Sequence, residues 1–177
     1  MRSIPHLKRT VDTTTRQAKP IIVFEKCALS GIGRIKYQWK LQKKVRKANP
    51  NSPQNLTPVG SYVGNFVASK PTKFVIHGWK NEADEMSEIR VGWLQAGDYN
   101  VIVVDWSVYA GHWSYAQAKA AVLGVGKIVA NFINWLASFG ASTNDMQLAG
   151  YSLGAHVSGV AGRYITAGRL SRITGGK

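Results

Sequence analysis

From Lys73 onward, short runs of β-branched and apolar residues alternate with segments of helical length, an order that few architectures accommodate. Phe74–His77 reads as a strand ending at Gly78, and Tyr99–Asp105, with Val101, Ile102, Val103 and Val104 in succession, reads as another. So continuous an apolar run suits a strand covered on both faces, which places it centrally in a parallel sheet. Met146–Ala149 is a further short strand, and Arg172–Thr174 opens one more. Between them, Asp84–Gln95 sets Met86, Ile89, Trp93 and Leu94 on one helical face. Ala116–Phe139 does the same with Val125, Ile128, Val129, Phe132 and Leu136, despite Gly124 and Gly126. Leu153–Ala167 turns Val157, Val160, Ala161 and Tyr164 inward, and Gly140 and Gly168 mark helix ends. Strand and helix in regular alternation is the order of an α/β domain built on a mostly parallel sheet flanked by helices.

A net charge of +14 raises nucleic acid as a partner, so the placement of that charge matters. Residues 1–50 hold thirteen Lys or Arg against Asp12 and Glu25, for +11, whereas residues 51–177 hold ten against seven acids, for +3. The basicity is local, and a single-sign field over the whole molecule does not explain the protein. Lys36, Lys40, Lys43, Lys44, Arg46 and Lys47 cluster near the end of this first segment, with no sustained period around them. We expect residues 1–50 to be solvated and poorly ordered, and residues 51–177 to keep their fold without them. Asn51, Pro53, Pro58, Gly60 and Gly64 read as a turn-rich linker. A rival reading makes residues 34–47 a site for nucleic acid or an anionic surface, with Tyr37 and Trp39 available for stacking.

A lone Cys27 excludes an internal disulfide framework and any multi-cysteine metal site. Pro5, His6, Lys8 and Arg9 stand where a signal peptide needs an apolar run of about 7 to 15 residues, and Ile21–Phe24 is too short to supply one. The most apolar stretch, Ala120–Phe139, is interrupted by Lys127, Asn131 and Asn134. It falls short of the roughly 18 uninterrupted apolar residues of a membrane span and reads as a core helix.

Gly150, Tyr151, Ser152, Leu153 and Gly154 form a G-x-S-x-G sequence, a weak signal alone in a chain with 18 glycines. Its place between an expected strand and an expected helix gives it weight, because a nucleophile elbow must sit there. In so tight a turn, a Cβ two residues before or after the serine would strike neighbouring backbone, so Gly suits both positions. Ser152 would then stand at a helix N-terminus, where backbone N–H groups favour negative charge. The Leu153 N–H would point to where the oxyanion of a tetrahedral intermediate develops. A second donor would come from the loop His77-Gly78-Trp79 after an earlier strand, with Gly78 allowing close approach of the backbone.

With these motifs in order, the chain resembles the neutral, pancreatic-type lipases and their 1-acyl phospholipase relatives over about Asn51–Gly175. The resemblance is carried by Asn55-Leu56-Thr57-Pro58, Lys73-Phe74-Val75-Ile76-His77-Gly78-Trp79, Val104-Asp105-Trp106, the elbow with Ala155-His156, and Arg172-Ile173-Thr174-Gly175. It implies the N-terminal part of an α/β-hydrolase catalytic domain that needs no cofactor or metal. It also implies Ser152 as nucleophile, the N–H groups of Trp79 and Leu153 as oxyanion hole, and Gly150 and Gly154 as elbow glycines. Lipid esters at a membrane or lipid-droplet surface would be the substrate, and the location extracellular, where Asn55-Leu56-Thr57 could accept a glycan.

Other residues invite a role and receive a plainer one. His156 lies one helical turn after Ser152, whereas a catalytic base must approach from a separate loop. Asp105 precedes the serine, against the order Ser, then Asp or Glu, then His. Both are expected to be structural. His112 and Trp113 are expected to pack as loop residues, with lining of the site entrance as the alternative. Gly124-Val125-Gly126-Lys127 lacks the preceding strand of a phosphate loop. Beyond the elbow the charged residues are Arg163, Arg169, Arg172 and Lys177, so the triad Asp and His are not found. The expectation is a longer form with an Asp soon after Gly175 and a later His, and little activity from residues 1–177 alone, because a serine without its base is a weak nucleophile. Hydrolysis of carboxylic esters of lipids leads. A catalytically silent lipase-like protein that binds lipid or a partner is its rival.

Overall fold

The computed structural model describes Lys43–Val45, Leu56, Pro58 and residues 63–177, all belonging to the compact unit Lys36–Lys177. In it the apolar runs become the strands β2 (Thr72–Ile76), β3 (Asn100–Val104), β4 (Met146–Tyr151) and β5 (Arg172–Gly176). The helices between them are α1 (Ser87–Ala96), the single turn α2 (Ser107–Ala110), α3 (Tyr115–Ala137) and α4 (Leu153–Tyr164). A short strand, β1 (Lys43–Val45), precedes them. The sheet order is β1-β3-β2-β4-β5, parallel throughout except for β1, which runs antiparallel to β3 with Lys44 opposite Ile102.

Period-2 alternation divides the sheet between two apolar layers. Phe74, Ile76, Ile102, Val104 and Leu148 face the larger core under α3 and α4, where Val125, Val129, Phe132, Leu136, Val157 and Ala161 meet them. Val75, Val101 and Val103 face the opposite side and pack with Met86 and Leu94. Both faces of β3 are therefore covered, which is why its five residues are all buried and its run is uninterrupted. The polar Asn100 at its start is buried as well. Its amide nitrogen donates to the carbonyls of Val67 at 2.9 Å and Lys70 at 3.1 Å, and its oxygen accepts from the Val67 amide at 3.2 Å, so the side chain ties the incoming loop to the sheet.

Several expectations are corrected by the packing. Ile89 is 43% exposed, because the turn Ala83–Met86 is a 3₁₀ helix whose tighter winding shifts the phase of α1, so that Leu94 carries its buried face. α4 ends at Tyr164 rather than Ala167, and Tyr164 lies outside the core with Lys127 Nζ 4.8 Å from its ring centre. Leu56 and Phe66, in and beside the stretch read as a linker, are buried against the main core. The boundary drawn after residue 50 also meets β1, which places Lys43–Val45 in the sheet. The remainder of residues 1–50, and Asn55 and Thr57 of the glycosylation sequence, lie outside the described residues.

Two glycines inside α3 have different fates. A Cβ on Gly124 would meet nothing, whereas one on Gly126 would come within 2.4 Å of Val160 Cγ1, so Gly126 sets how closely α3 and α4 approach. By length and composition α3 alone among the described helices could cross a membrane, but one face of it, including Val125, Val129 and Ile133, is buried in this core.

Candidate active site

The chain runs from β2 outward to β3 and then returns to place β4 on the other side of β2. Such a reversal opens a crevice at the carboxyl ends of the two central strands, the usual ligand position in an open α/β sheet. Here that crevice lies between the loop after Ile76 and the turn after Tyr151. Ser152 occupies the turn with φ 51° and ψ -120°, a conformation that costs a non-glycine residue about 1 to 3 kcal/mol and persists only when its surroundings impose it.

The surroundings are explicit. The Ser152 N–H donates to Gly176 O at 2.9 Å, extending the pairing of β4 with β5 past the strand end, and Ser152 O accepts from the Ala155 amide at 3.0 Å as α4 begins. The Leu153 and Gly154 amides precede that first helical bond and have no acceptor within their own helix. A Cβ on Gly150 would sit 2.2 Å from Gly154 O, and one on Gly154 would sit 2.1 Å from Ile76 O, so the turn closes only with glycine at both places. Gly78 belongs to the same junction: a Cβ there would lie 3.0 Å from Ser152 Cβ and 3.0 Å from Tyr151 O. The fold thus brings the His77-Gly78-Trp79 loop against the serine.

Beneath this loop lies a polar network centred on the buried His77 and Trp106. His77 is 0% exposed and its ring stacks on Trp106 with centroids 5.7 Å apart and planes inclined by 24°. His77 Nε2 accepts from the Trp106 amide at 3.1 Å, so Nδ1 is the ring nitrogen that donates, to Gly78 O at 3.0 Å. The Trp106 indole donates to His77 O at 2.7 Å. Asp105 Oδ1 stands 3.5 Å from His77 Nε2 and accepts from the Ser107 amide at 3.0 Å. Its carboxyl is held down to about 2, by hydrogen bonding from His77 first and from Ser107 after it, against the upward push of partial burial. With Nε2 engaged as an acceptor by Trp106, the Ser107 contact is the one that persists when the ring carries a single proton.

Trp79 is fixed from several sides. Its indole donates to His112 O at 2.9 Å, its ring meets Tyr115 edge to face at 5.3 Å, and Lys80 Nζ lies 4.7 Å from its centre. Lys80, at φ 57°, donates its amide to Ala110 O at 2.9 Å and so anchors the loop to α2. His112 acts through its carbonyl, and its Nδ1 accepts from the Ser114 amide at 3.1 Å; Trp113 is 81% exposed. His156 is exposed on α4. A shallow polar depression of about 660 Å³ is lined by Asn134, Thr143, Thr166 and Arg169 at the opposite ends of β4 and β5 and shares no residue with the serine.

Sequence reasoning identified the loop and the elbow but overlooked His77 and Trp106 as partners. No signal along the chain pointed to them, because only the parallel register, in which Ile76 pairs with Val104, brings the next residues, His77 and Asp105, side by side.

The profile of the Lipase family matches residues 37–176. The human pancreatic triacylglycerol lipase is 36% identical over 132 residues, covering 72% of this chain and 28% of that protein. Lipase member H of Oryctolagus cuniculus is 36% identical over 115 residues, 63% of this chain and 25% of the relative. The inactive pancreatic lipase-related protein 1 of Canis lupus familiaris is 39% identical over 133 residues, with 72% and 28% covered. The chain therefore spans between about a quarter and three tenths of the length of these relatives. A parallel sheet with a strained serine between strand and helix, a glycine loop packed against it, and a profile match over most of the sequence together assign the chain to the lipase family.

Proposed function

We propose that this chain carries the nucleophile and oxyanion hole of an extracellular serine carboxylic ester hydrolase acting on lipid esters at a membrane or lipid-droplet surface. Ser152 Oγ attacks the acyl carbonyl, and the carbonyl oxygen takes up the electron pair as an oxyanion held by the amides of Leu153 and Trp79. Collapse expels the alcohol and leaves an acyl-serine that water hydrolyses. The observation that carries this reading is Ser152 at φ 51° with Gly78 packed against its Cβ. The described residues do not bring a base and an orienting carboxylate to Ser152: no Asp or Glu follows it in the sequence, and His156 is exposed on the elbow helix itself.

A second reading, a lipase-like protein without catalysis, is favoured by the inactive pancreatic lipase-related protein among the relatives. A fluorophosphonate probe separates the two. In a form extended by the residues that supply the base, the first reading expects covalent labelling at Ser152 that Ser152→Ala abolishes, and equal labelling of the Ala variant would rule it out. Lipid binding without labelling would favour the second.

A further inference from the structure

The geometry points to His77 and Trp106 as positioning residues that aim the Trp79 amide at the oxygen developing beside Ser152, an inference that rests on the oxyanion role proposed above. The Trp79 N–H and the Gly78 carbonyl are opposite ends of one planar peptide, trans here because the described chain has no cis bond. Fixing the carbonyl therefore fixes the direction of the N–H. His77 Nδ1 holds that carbonyl at 3.0 Å. In the preceding peptide the Trp106 indole holds His77 O at 2.7 Å, which fixes the Gly78 N–H in the same way.

The loop needs this restraint because of its own glycine. Residue 78 must lack a Cβ to lie against Ser152, and Gly is the residue whose flanking peptides rotate most freely. Unrestrained, the Gly78–Trp79 peptide could turn its carbonyl toward the crevice and present an acceptor where a donor is required. The His77 ring cannot yield: it is 0% exposed, stacked on Trp106, and held at Nε2 by the Trp106 amide at 3.1 Å. A carbonyl that accepts a hydrogen bond also polarises its peptide, which strengthens the N–H at the far end. Both ring nitrogens are committed to backbone groups, so His77 moves no proton in this role. The Val104-Asp105-Trp106 sequence thereby acquires a purpose distinct from the triad: it delivers the ring stack and two donors to the loop, with Ser107 and Asp105 closing the turn behind them.

The test uses the full 177-residue chain labelled with ¹⁵N, in wild-type form and as His77→Leu, His77→Asn and Trp106→Phe. Amide resonances of Gly78 and Trp79 report peptide orientation, and the rate of fluorophosphonate labelling reports the site. His77→Leu should displace the Trp79 resonance and slow labelling by roughly 10- to 100-fold, part of the loss expected for a missing oxyanion donor. Asn carries an N–H donor close to the place of Nδ1 and should recover most of both signals. Trp106→Phe keeps the ring stack and loses the indole donor, so it should displace the Gly78 resonance. A folded His77→Leu protein with the Trp79 resonance unmoved and labelling unchanged overturns the inference. Should that variant not fold, unmoved Gly78 and Trp79 resonances in Trp106→Phe overturn it instead. A wild-type chain that resists the probe, as a serine without its base would, while the Trp79 resonance follows the His77 substitutions supports the positioning role, which the resonances then carry by themselves.

Discussion

Adding one methyl group to α4 at either of two glycines should move stability in opposite directions. At Gly154 the new Cβ would lie 2.1 Å from Ile76 O, 2.6 Å from His77 O and 2.8 Å from Ile76 C. Relief requires a shift of about 1 Å, and the struck atoms are backbone of β2, paired to β4 with Ile76 opposite Gly150 and to β3 with Ile76 opposite Val104. No rotamer can absorb the overlap. The cost should exceed the ordinary overpacking range, at about 3 to 4 kcal/mol for Gly154→Ala. With roughly 3 °C per kcal/mol for a domain of this size, the melting temperature should fall by about 10 °C. At Gly159, five residues further along the same helix, a Cβ would meet nothing within 4 Å. There only helix propensity acts, and Gly159→Ala should stabilise by about 0.8 to 1 kcal/mol, a rise of about 3 °C. Thermal unfolding followed by far-ultraviolet circular dichroism, with urea titration as a check, reads both. Similar melting temperatures for the two variants, or a Gly154→Ala protein within about 1 kcal/mol of wild type, would refute the closeness of the elbow to β2.

Other perturbations probe the strain, the charge and the sheet edge. Ser152→Gly should raise stability by about 1 kcal/mol, since glycine accepts φ 51° and ψ -120°, while Ser152→Ala keeps the strain and should not; equal melting temperatures would count against a strained serine. Asp105, depressed to about 2 from an unfolded value near 3.9, contributes stability that is present above about pH 4 and is lost as pH falls toward 2. With its carboxylate partly open to solvent and the His77 contribution, the largest, reduced because Nε2 accepts from Trp106, we expect about 1 kcal/mol, seen as a smaller acid-induced loss in Asp105→Asn than in wild type, and parallel acid profiles would contradict it. Deleting residues 1–50 removes β1 and strips the outer edge of β3, so we expect a loss of about 2 kcal/mol relative to a deletion of residues 1–35, and identical urea midpoints for the two truncations would show the strand to be dispensable.

Much of this was open to reading in the residues themselves. Val101–Val104 read as a strand buried on both faces because four successive apolar residues, three of them β-branched Val, fill a run of strand length between turn residues. The elbow was legible because its pattern is complete within five residues, although only the demand at Gly150 is local, against Gly154 O, and that at Gly154 comes from Ile76 O in β2. Ile89 and Tyr164 were misplaced for a common reason. Helical period gives the phase of a face only if the helix begins in register and continues to its assumed end, and a 3₁₀ turn at Ala83–Met86 and an early stop at Tyr164 broke those conditions.

The sequence alone determined the alternation of strands and helices, the serine turn and the family, since each rests on neighbours along the chain or on motifs in order. Tertiary structure decided what depends on pairings between distant residues: β2 standing between β3 and β4, Lys43–Val45 joining the sheet, Leu56 entering the core, and Gly126 yielding to Val160. The clamp of His77 by Trp106 is of that kind, 29 residues apart in the chain and joined only because parallel strands in register bring their carboxyl ends to one edge. Local sterics can be read in one dimension, whereas hydrogen bonds across a sheet exist only after the strands have chosen their neighbours.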